Sequence, residues 1–74
     1  MTTADDIRDL ALALARTEPD EERAVMELDT LCGGRRVSAV RARQLLVTQL
    51  DDPADQDSSR ALRLLDELLV RLPA

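Results

Sequence analysis

GGRRVSAVRARQLLVTQL, residues 33–50, holds four arginines and no acidic residue, whereas the chain on either side of it is acidic. Its opening glycines read as a helix stop, because a glycine just past the last turn adopts the left-handed conformation without steric cost. The residues after them read as a helix start. Ser38 is set to cap a helix over 39–50, with Val37 packing on Ala42 as a hydrophobic staple. Ala42, Leu45, Leu46 and Leu50 then face inward. Arg41 and Arg43 fall in or near the first turn, where a cation opposes the helix dipole by about 0.3–1 kcal/mol. Carboxylates from another helix, or a bound anion, are expected to offset that.

Upstream, Pro19 followed by Asp20, Glu21 and Glu22 predicts a second helix over 19–32. Proline suits a first helical turn and acids stabilise it. Ala24, Val25, Leu28, Leu31 and Cys32 make its inner face, and Gly33 ends it. A first helix spans 4–16, capped by Thr2 or Thr3, with Asp5 and Asp6 in the first turn. Ile7, Leu10, Ala11 and Leu14 recur at i, i+3, i+4 and i+7, and Leu12 adds a contact off that stripe.

Downstream, residues 51–58 (DDPADQDS) read as a polar, mobile loop, and Asp57 or Ser58 caps a fourth helix over 59–72. There Leu62, Leu64, Leu65, Leu68, Leu69, Val70 and Leu72 wrap around more than one stripe. Arg60, Arg63, Glu67 and Arg71 form the outer face, with Arg63–Glu67 and Glu67–Arg71 as i,i+4 pairs. A helix this apolar needs cover on two sides, at the centre of a bundle or across a dimer interface. No strand is predicted, because the Leu/Ala alternation over 10–14 consists of helix formers. The fold class is therefore all-α: one small four-helix bundle over residues 1–74, with dimerisation as a route to completing it.

Composition explains why completion is an issue. The chain has 74 residues and no Phe, Tyr or Trp, and an aromatic side chain buries roughly 150–250 Å². A core of this size rarely supplies more than about 3–5 kcal/mol, so self-association or a partner chain would relieve the shortage. Charge is laid out in three blocks. Residues 1–31 carry three arginines against nine acids, residues 32–50 four arginines against none, and residues 51–74 three against six. The net charge of −5 argues against a general binder of nucleic acid or anionic membrane. The acidic–basic–acidic layout suits internal pairing or a focused anion site.

No apolar run approaches the roughly 20 residues of a membrane span, and the polar, acidic start is unlike a signal peptide. A single cysteine fits a reducing compartment, so a cytoplasmic location is expected. Every basic residue is arginine, which with the abundant alanine points to a GC-rich bacterial genome.

Equipment for catalysis is thin. Without His, Lys or Tyr, the usual acid–base groups near neutral pH are missing, so no enzyme activity and no cofactor are expected. Cys32 ends the second helix, at the negative end of its dipole, which disfavours a thiolate and points to a buried structural thiol. Asp51, Asp52, Asp55 and Asp57 lack the central glycine and closing glutamate of a calcium loop, and read as solvated acids rather than a metal site. Gly33-Gly34 is not a phosphate loop, since neither the motif nor a preceding strand is present.

Two functional readings remain. In the first, the chain is a protein–protein interaction or adaptor module, a homodimer included. Arg35, Arg36, Arg41 and Arg43 make its polar contact, and Leu62, Leu65, Leu69 and Leu72 its apolar one. The alternative is a small DNA-binding regulator. A helix ending at glycine, a turn, and V-S-x-V-R-x-R opening the next helix are similar to the start of many helix-turn-helix recognition helices. Ser38 is then the cap, and Arg41, Arg43 and Gln44 point outward, Arg suited to guanine and Gln to adenine. Against it stand the five-residue turn over 33–37, longer than usual, and the negative chain. Pairing of these arginines with Asp5, Asp9, Glu21 or Asp29 across the bundle would leave neither surface.

Overall fold

Three of the four helices begin where a side-chain oxygen takes up amides of the first turn; the fourth begins without one. The computed structural model describes residues 3–49 and 55–72. Its helices are α1 (Ala4–Thr17), α2 (Glu21–Cys32), α3 (Arg36–Thr48) and α4 (Gln56–Arg71), with no strand among the described residues. At α1, Thr3 Oγ1 accepts from the Asp6 amide at 3.3 Å while Asp6 Oδ2 accepts from the Thr3 amide at 3.1 Å, a reciprocal capping box. The chain leaves α1 through Glu18, extended as a residue before proline must be.

Pro19 does not open α2, in contrast to the expectation. Asp20 takes the cap, its Oδ1 accepting from Glu22 and Arg23, and the helix starts at Glu21. A carboxylate that satisfies two free amides fixes the boundary more strongly than a preset φ does. Gly33 ends α2 as expected, at φ 61°, its amide bonded to Asp29 O at 2.9 Å, and Gly34 follows at φ 80°.

The start of α3 differs most from expectation. Ser38 is not its cap and Val37 is no staple. The helix opens at Arg36, with Arg35 at the cap position and no side chain bonded there. Two consecutive left-handed glycines reverse the chain within Gly33-Gly34-Arg35, so no further turn residues are needed. Arg41 and Arg43 consequently lie in mid-helix, and Arg35 and Arg36 occupy the start. At α4 the cap is Asp55, not Asp57 or Ser58: its Oδ1 accepts from the Asp57 amide and its Oδ2 from the Ser58 hydroxyl. Residues 56–58 are therefore helical rather than loop, while residues 50–54, Leu50 included, lie outside the described residues.

α1 and α4 are the closest pair, and each also packs on both α2 and α3. α2 and α3 touch each other least. The cross-section is a rhombus with α1–α4 as its short diagonal and α2 and α3 at the far corners. Ala11 and Ala15 on α1 and Ala61 on α4 are buried, and small side chains of this kind let helix backbones approach. Ile7, Val25, Leu28, Cys32, Leu64, Leu65 and Leu68 fill the remaining volume. Ala39 joins them although it was not expected to, since it lies one turn before Ala42 on the same face of α3. Leu10, Leu31 and Leu45 are half-buried at the edge rather than in the core.

Three neighbours cover α4, which accounts for its apolar girth. Val70 escapes them and is 81 % exposed, on the outer face rather than the inner. The i,i+4 pairs expected on that face do not form among the described residues; Arg63, Glu67 and Arg71 make no ion pair. The Cα radius of gyration is 11.0 Å, against about 11.3 Å expected for a folded chain of this length. Among the described residues, all four helices contribute to one shared core within the chain.

Candidate functional site

The arginines of α3 divide by the face they occupy. Arg36, at the first helical position, crosses to the end of α4, where its Nη1 donates to Leu69 O at 2.8 Å and Leu72 O at 3.4 Å. Leu69 lies in the last turn of α4 and Leu72 is its C-cap, so both carbonyls are at the negative end of its dipole. The guanidinium thereby leaves the unfavourable field of its own helix start for the favourable field of another helix end. Arg60 does the same for α1, donating to Ala15 O at 3.0 Å. Arg43 faces α4 as well, its Nε 2.6 Å from Asp66 Oδ1. Asp5 and Asp9 pair with Arg8 instead of the central arginines.

Arg35 and Arg41 remain. Both are exposed, and neither forms a hydrogen bond through its side chain or an ion pair with any described residue. Arg41 sits on the outward face of α3 with Val37, Val40 and Gln44, opposite the buried Ala39, Ala42 and Leu46. Val37 is 80 % exposed and Val47, one turn beyond Gln44, is 48 % exposed. An open depression of about 390 Å³ runs along this face, lined by Arg36, Val37, Val40, Arg41 and Gln44. A second, of about 420 Å³, lies toward the start of α1, where Asp5, Ser38 and Leu45 join the lining. Val37 and Arg41 line both, so together they form the ridge between the two.

The expected apolar surface on α4 is not available as such. Leu65 and Leu72 are core residues of the single chain, and Leu62 and Leu69 are half-buried against that core. Covering by three helices removes the leucine stripe from solvent. The outward apolar groups are instead Val37 and Val47 of α3, with Met26 on α2 and Val70 alone on α4. The signal for the α3 pair was in the sequence, in the 3-4-3 spacing of Val37, Val40, Gln44 and Val47. It became legible only once the helix start moved back to Arg36.

For the helix-turn-helix alternative, the structure brings Ser38, Arg41 and Gln44 to one side of α3 but turns Arg43 toward α4. The turn of three residues is now of ordinary length for that motif. The two helices it joins, however, are the pair that touches least.

The other chemical groups are occupied. Cys32 is buried and its Sγ donates to Arg35 O at 3.1 Å. Of the acidic run, Asp55 caps α4 and Asp57 pairs with Arg16 at 3.1 Å; Asp51 and Asp52 lie outside the described residues. The Ser58 hydroxyl, ahead of the amides of Asp57 and Ser58 and the charge of Arg16, holds the Asp55 carboxyl below the usual aspartate range. No helix among the described residues is long and apolar enough to cross a membrane. The chain matches no protein family, no curated protein and no solved structure with which it was compared.

Proposed function

We propose that this chain is a non-enzymatic protein–protein interaction module that receives its partner on the outward face of α3. The observation that carries the reading is Arg41, without a side-chain partner among the described residues, beside a valine that is 80 % exposed. A charged group and an apolar ridge flanked by two depressions give a partner one anchor of each kind. Arg35 and the rim of Arg36 widen the basic zone, while Arg43 contributes only if its pair with Asp66 opens. Leu62 and Leu69 can add an edge contact beside Arg36; Leu65 and Leu72 cannot without unfolding α4. The absence of His, Lys and Tyr supports a binding role over a catalytic one. The single thiol fits a reducing, cytoplasmic setting, and the arginine-only basic complement fits a bacterial one.

The test compares capture by the wild-type chain with capture by Val37→Asp/Arg41→Glu, using Arg63→Glu on the far side of α4 as a control. All three should keep the same helical content, because each altered side chain is exposed. A partner held by the wild type and by Arg63→Glu, and lost by the α3 variant, is the expected result. Equal capture by all three contradicts it.

DNA reading stays as a second proposal for one reason: Arg41 and Gln44 are neighbours on an exposed helix face. It requires binding to mixed-sequence duplex at low salt that weakens linearly in log–log form as salt rises. No binding at low salt ends it.

A further inference from the structure

The outward face of α2 is the electrostatic complement of α3, and the rhombus sets the two at opposite corners. On α2, Met26 is 58 % exposed and stands between Glu22, Glu27 and Asp29, all exposed and none in an ion pair among the described residues. Arg23 is the single cation there. On α3, Val37 and Val47 stand among arginines with no acid on the helix. The two helices match in length, 12 and 13 residues, or about 18–20 Å.

Both faces also carry charge of the wrong sign for their own helix. Asp29 lies in the last turn of α2, which has no basic residue, and Arg35 stands at the cap of α3, which has no acid in its first turn. Each placement opposes the local dipole. Opposing faces from two molecules would set that carboxylate against that guanidinium.

Resting on the α3 docking reading above, we propose that the partner includes a second copy of this chain, engaged head to tail. The α3 face of one molecule receives the α2 face of the next, with Met26 entering the depression lined by Val37, Val40 and Arg41. Because the two faces point away from each other, the contact is heterologous. It leaves one free face of each kind at the ends and propagates rather than stopping at two. A single helix-on-helix contact covers far less than the roughly 800 Å² per partner of a standard stable interface. The association is therefore weak, rises with concentration and falls with salt.

Sedimentation of three samples tests this: wild type, Arg41→Glu, and Glu27→Arg/Asp29→Arg. Wild type should gain mass with concentration and pass beyond a dimer, and salt should reverse the gain. Each variant alone should stay monomeric, since each has lost one of the two faces. Their mixture should regain association, because the intact α3 face of one meets the intact α2 face of the other and the two reversed faces again carry opposite charge. Should Arg41→Glu lose helicity, Arg41→Gln replaces it, with weaker rather than abolished association expected. Wild type that stays monomeric throughout overturns the head-to-tail contact alone, and the α3 reading then stands or falls on the capture comparison. Wild-type association that halts at a dimer, or that neither variant weakens, overturns the proposal.

Discussion

Arg36 illustrates how one side chain decides the character of a surface. Placed at a helix start it should be a liability, yet it reaches two carbonyls at the end of α4 and becomes a cap for that helix. Removing it should therefore destabilise the bundle. Arg36→Ala is expected to cost about 0.3–1 kcal/mol, the usual value of a cation at a helix C-terminus, read by urea unfolding; an unchanged midpoint would contradict the assigned role. Asp55 gives a second prediction at this scale. Its carboxyl titrates below the ordinary aspartate range chiefly because Ser58 donates to it. Ser58→Ala should raise the Asp55 pKa, measured by carbon-detected NMR. The depressed value also fixes the sign for stability. The contribution of Asp55 is fully present above its unfolded-state pKa and is lost as pH falls through the lower folded one. Ser58→Ala moves that loss to higher pH.

Among the elements, α1 could be read almost to the residue and α2 to within two, because apolar spacing and cap chemistry agreed there. α4 starts three residues earlier than expected, because Asp55, not Asp57 or Ser58, takes its cap. Thr3 with Asp6 and Gly33 after Cys32 are local signals, and local signals survive folding. α3 could not be read so well. Its true start has no capping side chain, so Ser38, a good cap in the wrong place, drew the boundary inward. The arginines defeated sequence reading for another reason. Whether Arg36, Arg43 and Arg60 face solvent or another helix depends on packing between segments 23 to 45 positions apart. The same packing explains the leucines of α4, since a stripe covered by three helices looks identical in sequence to one covered by a second subunit. The alanine positions carry a prediction of their own. If Ala61, fully buried, sets the close approach of α1 and α4, then Ala61→Leu must push them apart. The expected cost is about 1–3 kcal/mol in denaturant unfolding, and a neutral outcome would mean that space exists beside it.

The whole molecule has 4735 Å² of accessible surface, close to the roughly 4,500 Å² of a folded monomer of its mass. Its described core residues are buried within one chain, and its exterior is where association is to be sought. That exterior is polarised: exposed acids surround Met26 on α2, and arginines surround Val37 and Val40 on α3. Which surface is used can be seen directly in amide NMR spectra as the concentration of the labelled protein, or of a captured partner, is raised. Resonances of Val37, Val40, Arg41 and Gln44 should shift while those around Leu62 and Leu69 hold still. Shifts confined to α4, with α3 unmoved, would contradict a docking face on α3.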